Sequence, residues 1–276
     1  MKLKIAWYNV LRGFHKKELN GTFTFEKKRL DAAKKIISNL KPDILFIGEG
    51  DFNPRCKIKG PKIKQIDYQK IFKYPYVYYS KPDKTSRTGE VFLSKFPLKS
   101  KNFSKGNETY IRNWINVSGK KINIDMVHPY PTISEKEKAR WIGEILNKKE
   151  TPYVLLGDFN AFSPGDKYKL SELVKEFTAF QGSKEKAKKN AKDALKYLMV
   201  KKVISKKLID TYKNFNKKFE GTLPTKKYAV DKAGKIRIDY IFCSKDFKVL
   251  KSGIIKNKLT EMASDHYPIY AVLELK

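Results

Sequence analysis

Residues 153–164 read YVLLGDFNAFSP, an apolar run that ends on an acid, an aromatic and an amide before a Ser-Pro stop. The apolar part, Tyr153 to Leu156, has the length of a buried strand, and Gly157 punctuates its end. Asp158 and Asn160 therefore stand at a strand terminus, where polar groups can meet a ligand. The same construction recurs along the chain. IAWYN ends in Asn9, ILFIGE in Glu49 and INIDMVH in His128, while IRIDY carries Asp239 and Asp265-His266 precede the strand YPIYAVLEL. A single strand-end Asp or Asn ordinarily makes a turn, and one histidine beside apolar residues is ordinarily structural. Here six strand ends share the pattern and take two of the only three histidines. Gathered along one edge of a sheet sandwich, they form a cleft.

Outward from that stretch, residues 3–9 alternate as a strand and residues 25–40 have helical spacing, with Leu30, Ala33, Ile36, Ile37 and Leu40 on one face. Lys41-Pro42 ends that helix, and DILFIGE (43–49) is a buried strand. Strands follow at 90–94, 108–117 and 121–128, the last two joined by the hairpin signal Ser118-Gly119. A helix is expected over 134–148, helices over 183–200 and 202–213, and closing strands at 236–244, 247–255 and 267–275. Strands thus come in neighbouring pairs with helices inserted singly. That order predicts an α+β fold of two mostly antiparallel sheets packed face to face, helices outside. The absence of repeats or Pro/Gly/Ser-rich linkers predicts one domain over 1–276.

Composition bounds the function. Hydrophobic residues make up 41% of 276, enough for a sizeable core and against disorder. No apolar run reaches the roughly 20 residues of a membrane span, and MKLKIAWYNV lacks a cleavage site, so the chain is expected to work in the cytoplasm as a monomer. Cys56 and Cys243 are the only cysteines and lie outside any C-x-x-C pattern, which argues against a disulfide framework or zinc site. The formal charge is +31, a field that attracts nucleic acid or an anionic lipid surface. Yet only seven of the 60 basic residues are arginine, the side chain suited to bidentate base contacts, so the charge is equally that of a lysine-coated surface. The basic stretch 184–196 reads as a solvated helix face or a nucleic-acid contact.

Taken in order, YNV (8–10), PDILFIGE (42–49), GEVFLSKFPL (89–98), GDFNAFSP (157–164), RIDYIFCS (237–244) and SDHYP (264–268) resemble the signature segments of the endonuclease/exonuclease/phosphatase superfamily. The resemblance runs from Tyr8 to Pro268 and implies a four-layer αββα sandwich, in agreement with the strand pairing. It also implies a Mg2+-dependent phosphodiesterase, with Mn2+ as a substitute. Glu49 would be the main metal ligand, supported by Asn9 and Asp265, since magnesium takes hard oxygen donors and keeps several waters. Asp158 would orient or deprotonate the attacking water, and Asn160 would donate to a phosphate oxygen. His266, paired with Asp239, would contact the scissile phosphate. His128 resembles the second histidine of the deoxyribonuclease and sphingomyelinase branches, which helps protonate the leaving group, and Glu90 stands where the former places a supporting carboxylate.

Two further residues are read from position. Arg112 is a candidate phosphate clamp or a surface arginine; His15 is a bystander or a substrate contact. Two departures from the family pattern stand out. Gly48 takes the place of a usual Gln before the metal-binding Glu, bearing on support of the metal. Leu11 stands where abasic-site endonucleases carry Asp, against a DNA-repair role. The leading functional expectation is a nuclease. The alternatives are a phosphoesterase acting on a lipid headgroup or small phosphorylated molecule, and a catalytically silent nucleic-acid-binding protein, which the intact residue set disfavours. Substrate choice would lie in loops 11–25, 51–67, 80–88, 129–134 and 214–235.

Overall fold

β1 (Lys2–Asn9) sits at the middle of one sheet because both of its faces are buried: Leu3, Ile5 and Trp7 on one side, Ala6 and Tyr8 on the other. The computed structural model describes residues 1–52, 65–80, 88–105, 108–229 and 232–276; Cys56 and most of loops 51–67 and 80–88 lie outside them. After β1 come a one-turn segment α1 (Leu11–Phe14), the ribbon β2 (His15–Lys17) and β3 (Phe23–Phe25), helix α2 (Lys27–Leu40) and β4 (Ile44–Phe52). Then follow α3 (Tyr68–Phe72), β5 (Tyr76–Tyr79), β6 (Thr88–Ser94), β7 (Leu98–Lys105), β8 (Glu108–Val117) and β9 (Lys120–Pro129). Helix α4 (Glu135–Asn147) leads to β10 (Tyr153–Asp158), α5 (Leu170–Gln181), α6 (Lys184–Ala194) and α7 (Leu198–Ser205). The chain closes with β11 (Ile209–Asp210), α8 (Thr211–Phe215), β12 (Asp239–Cys243), β13 (Phe247–Ile254), α9 (Thr260–Ala263) and β14 (Ile269–Leu275).

Among the described residues two six-stranded sheets result, ordered β13-β14-β1-β4-β6-β5 and β11-β12-β10-β9-β8-β7. Each has one parallel pair, β1 with β4 and β9 with β10, and the remaining pairs are antiparallel. The inner faces meet in a core that includes Trp7, Phe46, Phe92, Ile124, Leu156 and Ile241. The outer face of the first sheet is covered by Leu30, Ala33, Ile36 and Ile37 of α2. The outer face of the second is covered by Trp141, Ile142 and Ile145 of α4 with Met199, Val200 and Val203 of α7. This is the four-layer αββα sandwich. Gly157 marks how tightly β9 and β10 approach: its φ is +140°, and a Cβ there would overlap the Val127 carbonyl. No helix among the described residues is long and apolar enough to cross a membrane.

Local signals act as expected at several ends. Ser134 and Glu137 form a reciprocal capping box that starts α4, and Ser118 (φ 51°) with Gly119 (φ 79°) turn β8 into β9. The 183–215 region differs from the sequence expectation of two helices at 183–200 and 202–213. α6 stops at Ala194, because Leu195 and Tyr197 turn inward onto the Phe162–Leu173 cluster and Tyr197 takes a left-handed φ of 57°. Burial there overrides the helical periodicity. Beyond Ser205 the chain leaves the helix so that Ile209 and Asp210 can pair with β12. Asp210 then caps α8 and, with Asp166, grips the buried Arg237 at the entry to β12 (2.8 Å and 3.0 Å). β5, β7 and α5 were not read from the sequence.

Candidate active site

Both sheets deliver their polar strand ends to the same edge. In the first sheet Asn9 closes β1 and Glu49 lies beside it in an irregularity of β4, where the register with β6 shifts between Ile47 and Asp51. Glu49 adopts a left-handed φ of 51°, which turns its carboxylate to the strand ends. Asn9 Nδ2 donates to Glu49 Oε1 at 3.2 Å, and the Arg12 amide donates to Oε2 at 3.1 Å. The Glu49 amide itself donates to Glu90 Oε2 at 3.0 Å. The Arg12 amide is brought there by an unusual turn: Leu11, Arg12, Gly13 and Phe14 have φ of 51, 53, 55 and 64°. One buried side chain holds that turn. Arg29, from α2, donates to the carbonyls of Val10, Leu11 and His15 and, through Nε, to that of Ala263 at 2.8 Å.

The second sheet supplies Asp158 from β10 and Asp239 from the facing position of β12. His266 sits just before β14, and its Nδ1 lies 2.9 Å from Asp239 Oδ2. The other oxygen of Asp239 accepts the indole N–H of Trp7 at 2.7 Å. His128, near the end of β9, is held the same way, with Nδ1 2.9 Å from Glu90 Oε1. Two imidazoles, each anchored on an acid through Nδ1, therefore turn Nε2 toward one carboxylate. His128 Nε2 is 3.6 Å and His266 Nε2 3.8 Å from Asp158 Oδ2. Asn160, with a left-handed φ of 45°, folds back over this carboxylate. Its amide N–H donates to Asp158 Oδ1 at 2.8 Å, and its side chain donates to the Pro129 carbonyl at 3.0 Å. Lys138 of α4, almost wholly buried, holds the Asn160 carbonyl at 2.5 Å.

The electrostatics follow from this packing. Burial, with the charge of Asp239, pushes Asp158 up to about 6, although both histidines oppose the rise. For His128 burial favours the neutral ring, but Glu90, Asp158 and Glu49 outweigh it and lift the pKa to about 10. His266 behaves alike: burial lowers its pKa, while Asp239 and Asp265 lead the acids that carry it well above the usual imidazole range. Burial raises Asp265, and the neighbouring charge of Glu49 adds to it. Burial pulls Lys138 down, with Glu135 and Asp158 opposing.

Glu49 and Asp265 are neighbouring acids at this corner, Glu49 adding to the burial that raises Asp265, and with the side-chain oxygen of Asn9 they offer the hard donors a divalent cation takes. A second grouping, Asp158, Asp239 and His266, has ligand atoms within 4.8 Å of one another. Trp7, Asp239 and His266 form a hydrogen-bonded chain, and Asp158 stands beyond hydrogen-bond reach of it, 3.8 Å from His266 Nε2.

The edge thus collects Asn9, Glu49, His128, Asp158, Asn160, Asp239, Asp265 and His266. Arg112 is elsewhere, and the expectation of a phosphate clamp or a surface arginine is corrected. It pairs with Asp125 on the helix-covered face of β9, with bonds of 2.9 and 2.7 Å, and donates to the Ile145 and Lys148 carbonyls at the end of α4. Arg112 is placed by register: it stands opposite Asp125 in the β8–β9 pair, three residues below His128. His15 is buried against Phe25, with Nδ1 3.0 Å from the Arg12 carbonyl. Trp7, Arg29 and Lys138 were missed as supports of the site. Nothing in their spacing marks them, because each acts on backbone or on a carboxylate distant in sequence.

The Endonuclease/Exonuclease/phosphatase family model matches residues 6–266. This chain belongs to that family. Members are generally hydrolytic phosphoesterases and typically depend on a divalent metal. Among curated proteins none matches significantly. Among solved structures, an endonuclease/exonuclease/phosphatase from Beutenbergia cavernae aligns over 99% of this chain and 72% of its own, with TM-score 0.65 and 16% identity. A family protein from Leptotrichia buccalis covers 99% of this chain and 100% of its own at TM-score 0.63 and 22% identity. D. rerio TDP2, solved with a single-strand DNA product, gives 99% and 99%, TM-score 0.63 and 16% identity. At these identities the likeness is one of fold.

Proposed function

We propose that this family member hydrolyses phosphodiester bonds in nucleic acid. The observation that carries the reading is Asp158, flanked by two acid-anchored imidazoles, of which His128 also feels the charge of Glu49 and His266 that of Asp265. Phosphodiester hydrolysis needs neutralised phosphate charge, an aligned water and a proton for the leaving oxygen. Glu49, Asn9 and Asp265 would hold Mg2+ or Mn2+, which when bound supplies charge neutralisation and Lewis-acid polarisation at the phosphate. Asp158 accepts the proton of the attacking water; a carboxyl raised to about 6 is ionised near neutrality yet basic enough to help. Protonated His266 stabilises charge on the phosphoryl oxygens, and the Asn160 side chain donates to the same group. His128, held protonated by Glu90, gives the leaving oxygen its proton. The +31 charge and the DNA product in the TDP2 structure support a polyanionic substrate.

The test is nicking of supercoiled plasmid and cleavage of labelled single strands, in Mg2+ and in EDTA. Metal-dependent cleavage that weakens steeply with salt is expected. Intact DNA alongside hydrolysis of a phospholipid analogue would transfer the same chemistry to a lipid headgroup.

A further inference from the structure

Trp7 is the largest side chain in the core between the sheets, it is fully buried, and its one polar atom ends on a site residue. The bond crosses the sandwich. Trp7 belongs to β1 of the first sheet, and its Nε1 donates to Oδ1 of Asp239, on β12 of the second, at 2.7 Å. Asp239 Oδ2 is the anchor of His266 at 2.9 Å. A carboxylate gripped at both oxygens cannot rotate without breaking one bond, and the bond to Trp7 alone is independent of the imidazole it orients. The indole also stands edge-on to His128, with centroids 6.4 Å apart and planes at 87°. Its place depends on β4: a Cβ at Gly48 would come within 2.5 Å of Cη2 and 2.6 Å of Cζ2 of the ring. The backbone of β4 is bare where the indole lies.

We propose that Trp7 is a positioning residue for the hydrolytic site, fixing the Asp239 carboxylate and through it the His266 ring, and that Gly48 is the vacancy which admits it. The inference rests on the proposed hydrolytic role of His266. A tryptophan that only fills the core needs its ring; a positioning tryptophan needs its N–H. Trp7→Phe separates the two, since it keeps most of the ring and removes the donor.

The experiment combines kinetics with indole 15N–1H NMR, in which the three tryptophans give three side-chain cross-peaks. The cross-peak missing from Trp7→Phe is that of Trp7, and it should move in Asp239→Asn, where the acceptor loses its charge. In Trp7→Phe, with the fold checked by near-UV circular dichroism, kcat should fall about tenfold with KM unchanged, the effect of one hydrogen bond to a charged group. In the Asp239→Asn background the same substitution should have no further effect, because the two act as one unit. Gly48→Ala, which pushes on the ring, should shift the same cross-peak and lower kcat. A Trp7 cross-peak unmoved by Asp239→Asn, a kcat within twofold of wild type, or full additivity of the two substitutions would each overturn the proposal. If the wild-type protein cleaves no phosphoester, the hydrolytic reading fails; the cross-peak still decides whether Trp7 grips Asp239.

Discussion

Arg29→Met is the substitution whose effect the structure fixes most closely. Arg29 is 2% exposed and donates to four backbone carbonyls, those of Val10, Leu11, His15 and Ala263. Hydrogen bonds to a charged group are each worth roughly 1.5–3 kcal/mol. They are not additive, and water would reach some of the freed carbonyls, so the expected loss is about 4 kcal/mol rather than the sum. The turn supplies the other half of the argument. Leu11, Arg12 and Phe14 are non-glycine residues at φ 51, 53 and 64°, and left-handed backbone costs roughly 1–2 kcal/mol per residue. Without the guanidinium that turn has reason to relax, which withdraws the Arg12 amide from Glu49 Oε2. Urea unfolding should therefore show the loss of stability, and Mn2+ affinity, read by electron paramagnetic resonance on the folded variant, should weaken as well. A loss below about 1 kcal/mol at unchanged m-value would contradict this, because the buried carbonyls of Val10, His15 and Ala263 cannot lose a cation so cheaply.

Three other predictions follow from the same geometry. Lys138→Met strips the Asn160 carbonyl of its donor and leaves buried Glu135 without its nearby cation; unfolding should show a loss of about 3 kcal/mol, and kcat should fall more than KM rises. Arg112→Ala should cost about 3–5 kcal/mol of stability by taking the cation from buried Asp125, which keeps the Tyr153 hydroxyl, yet leave KM unchanged in the folded enzyme; a raised KM at full stability would return Arg112 to the cleft. His128 keeps its proton up to about pH 10 when folded, whereas the unfolded chain releases it near 6.5. Stability of the protein in EDTA should therefore be fullest below pH 6.5 and drain as pH rises toward 10, and His128→Asn should flatten that slope in pH-dependent urea melts.

Where a polar residue closes or opens an apolar strand, the candidate site was legible in the sequence. Each apolar run of β1, β4, β9, β10 and β12 announces its strand, and the polar residue that closes or opens it lands at the shared edge. Arg112 misled because a strand alternates faces: its position along the chain is near the site, but its parity puts it on the side that α4 covers. Residues 195–197 and 206–210 were misread as helix because local helical spacing says nothing of the Phe162 cluster or of β12, which draw the chain out of the helix. β7 was hidden by its alternating lysines, which leave few apolar residues to reveal a strand. The Gly48 departure found its account only in three dimensions, where the Trp7 ring fills the space beside it.

The central claim is that a metal held near Glu49 and a proton-bearing His266 act together on a phosphodiester. Hydrolysis of bis-p-nitrophenyl phosphate across a Mg2+ titration, in wild type, Glu49→Gln and His266→Ala, tests it most directly. The account predicts activity abolished by EDTA, half-activation displaced to higher Mg2+ in Glu49→Gln, and no recovery of His266→Ala at any metal concentration. Hydrolysis that persists in EDTA, or a His266→Ala protein as active as wild type, would contradict it.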